Sequence, residues 1–120
     1  MLKTVSLKNN TDFKRVYNSG KSQGNKYLVM YVVENGLGIN RLGISVSKKV
    51  GNSVIRHRVK RLVKEAYRLH EDLFNSGLDI VVIGRMSAAT ADYGHIENAL
   101  IRLSNLHHII NNEKNINRID

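Results

Sequence analysis

The chain has no cysteine and no proline, few aromatic residues, and little acid, with ten Asp and Glu among 120 residues. Without cysteine there is no disulfide framework and no thiolate zinc site, which fits a reducing compartment. The opening Met1-Leu2-Lys3-Thr4-Val5-Ser6 lacks the apolar core of a secretory signal. No uninterrupted apolar run approaches the ~20 residues of a membrane-spanning helix. The expectation is a soluble, cytoplasmic protein. Catalytic signatures are missing as well. There is no Gly-rich phosphate loop ending in Gly-Lys-[Ser/Thr], and no serine sits in a nucleophile-elbow motif. The histidines His57, His70, His95, His107 and His108 do not have the His-Glu-x-x-His spacing of a helical metal pair, so exposed positions are expected for them. The acids are scattered, with no cluster like that of a two-metal nuclease. No catalytic residue and no metal site is expected in this chain.

What is present is enough for one folded domain. The length suits a single compact core, hydrophobic residues make up 42%, and neither repeat nor linker divides residues 1–120. Leu7 to Gly20 reads as a first helix, capped by Asn9 or Asn10 and closed by Gly20 in a left-handed conformation. Phe13, Val16 and Tyr17 share one face of it. Tyr27–Val33 is rich in β-branched and aromatic residues and reads as a strand, Asn35-Gly36 centres the following turn, and Arg41–Ser47 reads as a second strand. A helix capped by Asn52 or Ser53 runs to about His70. Asp79–Gly84 is a continuous apolar run, as in a strand buried on both faces. A last helix begins near Thr90 or Asp92, with Tyr93, Ile96, Leu100, Leu103, Leu106 and Ile110 as its apolar stripe. The tail from Asn111 is polar and expected to fray.

The strongest signal is charge: 19 Lys and Arg give a net charge of +9, which biases a small protein toward polyanions. The excess is local. Nine basic residues and one acid, Glu65, lie between Arg41 and Arg68, while the rest of the chain has ten basic and nine acidic residues. On a helical wheel Ile55, Val59, Leu62, Val63, Ala66 and Leu69 fill one arc. Arg56, Lys60, Arg61, Lys64 and Arg68 fill the opposite arc, with Arg58 at its edge. The like-charge neighbours Arg56/Lys60, Lys60/Lys64 and Lys64/Arg68 each cost about 0.2–0.5 kcal/mol. A solvated helix face is the ordinary explanation of such a run. The near absence of acid, and Lys48 and Lys49 beside the free N–H groups of the helix start, favour a nucleic-acid surface instead.

The segment Arg41–Arg61, with its Ser45-Val46-Ser47-Lys48-Lys49, Gly51-Asn52 and Arg56-His57-Arg58, closely resembles the signature of the bacterial ribonuclease P protein family. In that family an Arg-Asn-Arg motif opens a basic helix. The likeness extends from about Leu7 to Leu106 through Asp12-Phe13, the strand around Tyr31 and the Asp79–Arg85 strand. His57 departs from the pattern, standing where the family usually has Asn, and Met86 stands where it often has Pro. The resemblance implies a single α+β domain: a roughly four-stranded mixed sheet with three helices in the order α-β-β-β-α-β-α, including a left-handed β-α-β crossover. It further implies an endoribonuclease subunit acting in tRNA 5′ maturation. Catalysis would reside in a ribonuclease P RNA with Mg²⁺ held mainly by that RNA, and no organic cofactor. The implied RNA-binding residues are Lys48, Lys49, Asn52, Arg56, His57, Arg58, Lys60, Arg61, Lys64 and Arg68. Phe13, Tyr17, Tyr31 and Ser45 are the implied cleft for the 5′ leader of precursor tRNA, where unpaired bases stack on aromatic rings; ordinary core packing would also account for those three aromatics. Two other readings remain: a ribosomal or other structured-RNA protein, disfavoured by the Ser45–Arg61 signature, and a self-sufficient nuclease, disfavoured by the scattered acids.

Overall fold

In a computed structural model of the protein, residues 4–111 are described. Their elements are β1 (Thr4–Ser6), α1 (Asn10–Ser19), β2 (Lys21–Gly24), β3 (Leu28–Glu34), β4 (Asn40–Val46), α2 (Ser53–His70), β5 (Leu78–Gly84) and α3 (Tyr93–Leu106). Two 3₁₀ turns, Glu71–Leu73 and Met86–Thr90, lie either side of β5. The five strands form one mixed sheet in the order β1-β4-β5-β3-β2. β4 runs parallel to both β1 and β5, while β3 is antiparallel to β5 and β2. The expected α-β-β-β-α-β-α order is present from α1 onward, and the short β1 raises the expected four strands to five.

Side-chain alternation divides the core between the two faces. Met30, Ile80 and Val82 point to the face covered by α2 and α3, where they meet Val59, Val63, Ile96 and Leu100. Val81 points the other way, onto Val16 of α1 and Leu7. Central β5 is therefore covered on both sides, and that is why its sequence is apolar without alternation. Val59 and Val63 are fully buried, each contributing roughly 1.5–3 kcal/mol of transfer free energy. The helix starts follow short polar caps: Asn9 accepts from the Thr11 N–H at 2.9 Å, Asn52 from Ile55 at 3.0 Å and Asp92 from His95 at 2.9 Å.

Four local expectations are corrected. Gly20 is extended (φ −80°, ψ 156°), not left-handed. Glycine is needed there for closeness, since an added Cβ would lie 2.5 Å from the Val16 carbonyl oxygen. Leu69 and Leu106, expected on packing stripes, are each 54% exposed. Tyr67 takes the inward position at the end of α2, 4% exposed, with its ring 4.7 Å from that of Phe74. Two histidines are not simply exposed: His70 meets the Glu97 carboxylate at 2.8 Å and His107 meets the Met30 carbonyl at 2.9 Å. Asn111 does not fray, because its N–H donates to the Leu73 carbonyl at 2.7 Å beside the Phe74–Ile110 bridge. The remainder of the expected tail, residues 112–120, lies outside the described residues.

Candidate nucleic-acid interface

The basic helix forms as its pattern requires, but its cations do several different things. Lys48 and Lys49 are exposed in the turn before α2, and Asn52 uses its side chain to cap the helix. His57, Arg61 and Lys64 are exposed, while Lys60 is half-buried. Among the described residues none of Lys60, Arg61 and Lys64 has an acidic partner. Arg56 is half-buried and its Nε is shielded from solvent with no hydrogen-bond partner. Two expected contact residues are engaged within the protein. Arg58 turns to the 3₁₀ turn after β5, donating to the Ala91 carbonyl at 2.6 Å and to that of Ala89 at 3.4 Å. Arg68 pairs with Glu65 through its Nε at 2.9 Å.

On the α1 face a cleft of about 370 Å³ opens between the helix and β4, lined by Asn10, Phe13, Lys14, Tyr17, Ser45 and Lys60 among others. Its aromatic wall depends on a glycine: a Cβ at Gly43 would lie 2.6 Å from the Phe13 ring, so only glycine lets that ring rest on β4. The Phe13 and Tyr17 rings are 6.2 Å apart. Tyr31, on β3, does not line the cleft; it meets Tyr17 edge-on at 5.1 Å and supports it from behind. Phe13, Tyr17 and Ser45 are thus brought together as expected. Lys60 borders this cleft as well as the helix surface. Lys14 was missed by sequence reasoning, although its i, i+3 relation to Tyr17 was a usable signal.

A second charged cluster was not anticipated. Asp79, at the start of β5 on the α1 face, has no solvent exposure. Arg41 donates to it through Nε at 2.8 Å and Nη2 at 2.7 Å, Asn35 donates at 3.0 Å, and Arg15 completes the set. Arg41 also lies 3.5 Å from Asp12. Burial pushes the Asp79 carboxyl upward, but the hydrogen bonds from Arg41, Asn35 and Arg15 outweigh it and hold the pKa at about 2. The Asp79 hydrogen bond in turn raises Arg41 above its ordinary value. Arg41 therefore contributes to the basic count of its sequence window but is engaged by acid in the fold.

Among the described residues no three His, Asp or Glu side chains converge as a metal-holding group, and no helix is long and apolar enough to cross a membrane. The arrangement offers unpaired cations for phosphates, and beside them a partly exposed aromatic wall against which bases can stack.

Comparison with known proteins matches residues 1–107 to the family described as Ribonuclease P. The chain is 57% identical over 109 residues to the ribonuclease P protein component of Lachnoclostridium phytofermentans, covering 91% of this chain and 94% of that protein. It is 52% identical to that of Clostridium botulinum, covering 85% and 93%. Among solved structures, the RNase P protein of Staphylococcus aureus superposes with a TM-score of 0.82 at 36% identity, covering 88% of this chain and 97% of that one. That of Thermotoga maritima gives 0.76 at 33% identity, covering 82% and 93%.

Proposed function

The chain belongs to the ribonuclease P protein family, and from that premise we propose that it binds a ribonuclease P RNA and the 5′ leader of precursor tRNA, assisting removal of the leader. On this reading the RNA subunit performs the cleavage and the protein works beside it in the cytoplasm. The observation that carries the proposal is the meeting of two surfaces at Lys60: the acid-free stretch of α2 and the cleft walled by Phe13 and Tyr17. The cations lend affinity for phosphate without regard to sequence. The rings hold unpaired bases, each contributing about 1–3 kcal/mol by stacking.

Lys48, Lys49, Arg56, His57 and Arg61 are assigned to the catalytic RNA, with Lys60 and Lys64 shared between that RNA and the leader. Asn52 orders the helix that presents them by capping it. Arg58 and Arg68 have protein partners at their guanidinium groups, so they reach RNA through whichever N–H groups those bonds leave over. Tyr31 belongs to the leader site as the support of Tyr17. Mg²⁺ is assigned to the RNA: a surface of unpaired Lys and Arg attracts phosphate and repels a divalent cation, so no step is routed through a metal on this chain.

The test is reconstitution of the protein with a bacterial ribonuclease P RNA and a 5′-extended precursor tRNA at low Mg²⁺, where the RNA alone cleaves poorly. Stimulated release of the leader is expected. Binding of both RNAs without stimulation would leave a general structured-RNA-binding role. Cleavage by the protein without any RNA subunit would overturn the assignment of roles.

A further inference from the structure

A concavity of about 420 Å³ lies between β1 and α2, outside the aromatic cleft. Leu42 and Ile44 form its apolar side, Lys60 and Lys64 stand along α2, and Lys8, after β1, also lines it. The pocket depends on β1, which Thr4 ties to α2 through a 2.6 Å hydrogen bond between its hydroxyl and that of Tyr67. Ile44 and Lys60 also belong to the aromatic cleft, so the two concavities share a wall.

We propose that this pocket is a second single-strand subsite, holding nucleotides of the leader adjacent to those in the aromatic cleft. The proposal rests on the reading of that cleft as the leader site, and three features of the structure support it. Lys8, Lys60 and Lys64 have no acidic partner among the described residues. The two helix lysines are one turn apart, about 6 Å along the axis, so they can meet neighbouring phosphates of an extended strand. Leu42 and Ile44 offer an apolar surface on which an unpaired base loses little by leaving water. The edge of β4 is open at the junction, because β1 ends at Ser6 opposite Leu42. The Leu42 carbonyl accepts from the Leu7 N–H at 2.9 Å. By the alternation of a parallel ladder, the N–H and C=O of Ile44 point to the same edge, beyond the last β1 pair. They can serve a ribose hydroxyl or a base edge. The cationic row ends at Glu71, whose Oε2 is shielded and has no hydrogen-bond partner. A phosphate would be repelled there, so the strand runs from the cleft past Lys60 and Lys64 and stops short of Glu71.

The experiment scans the leader with single abasic nucleotides and measures affinity of the reconstituted holoenzyme for each precursor tRNA. It is run for the wild type, Tyr17→Ala and Lys64→Ala; Lys64 lines the β1 pocket and not the aromatic cleft. Two adjacent runs of sensitive positions are expected, each abasic nucleotide weakening binding about tenfold. Tyr17→Ala should erase sensitivity in one run and Lys64→Ala in the other, with mature tRNA unaffected by either. A single sensitive run, erased by Tyr17→Ala alone, would overturn the second subsite and leave the cleft reading intact. Lys64→Ala weakening mature and precursor tRNA equally would also overturn it, by leaving Lys64 with the catalytic RNA alone. A Tyr17→Ala protein that binds precursor and mature tRNA as the wild type does would instead overturn the cleft reading on which the proposal rests.

Discussion

Arg15 and Arg41, on the α1 face of the sheet, are matched by Asp79 and Asp12, whereas Lys60, Arg61 and Lys64 on α2 form no ion pair with an acid among the described residues. Net charge alone treats the two groups alike. What separates them is where the few acids were placed. Asp79 is buried and needs several donors to remain ionised there. The first group therefore acts inward, tying β4, β5 and α1 together. The second group keeps its mutual repulsion, a cost that RNA phosphate relieves on binding.

The largest effect should come from breaking the inward cluster. Asp79→Ala leaves Arg15 and Arg41 without their buried counter-charge and is expected to cost about 3–5 kcal/mol of stability, read from urea unfolding. A loss below about 1 kcal/mol would mean that the two groups differ less than their geometry indicates. Acid should act on the same cluster more gently. With Asp79 held at about 2, below its ordinary 3.8, its contribution is fully present above pH 4 and is lost as pH falls toward 2. Unfolding followed against pH should show a decline of about 2 kcal/mol in that window, absent in Asp79→Asn. Smaller again is the change at the cleft: Tyr17→Ala should weaken binding of leader-bearing tRNA about tenfold relative to mature tRNA. An equal effect on both would detach the aromatic wall from the leader. The smallest change sharpens the comparison from the other side. Arg68 is paired with Glu65, but both are well exposed, so Arg68→Ala should alter stability by less than about 0.5 kcal/mol, again by urea unfolding.

Much of this was legible in the sequence because it is written in local patterns. The N-caps of all three helices, the 3.6-residue period of α2 and the unbroken apolar run of β5 each follow from short-range rules, and each is present. The motif around Arg56-His57-Arg58 carried the family. What stayed hidden depends on contacts between distant positions. Asp79 was read only as the first residue of the β5 run, and nothing near it in sequence announces Arg15 or Arg41. Tyr67 and Leu69 are both apolar and two residues apart; which of them turns inward is set by Phe74 and Asn40, not by the helix pattern. Strand β1 is three residues long, too short for alternation to register, so the β1 pocket that it builds with α2 could not be read in advance. Gly20 resembled a helix stop, and only the proximity of Val16 shows that its missing side chain is what matters.

The central claim is that the acid-free row on α2 is used to hold RNA phosphate, and the salt dependence of binding tests it most directly. The affinity of the protein for a bacterial ribonuclease P RNA would be measured over a range of monovalent salt for the wild type and for Lys60→Ala. The slope of log affinity against log salt should become shallower by about 0.7–0.9 for the one phosphate contact removed. An unchanged slope would place Lys60 against solvent and contradict the account.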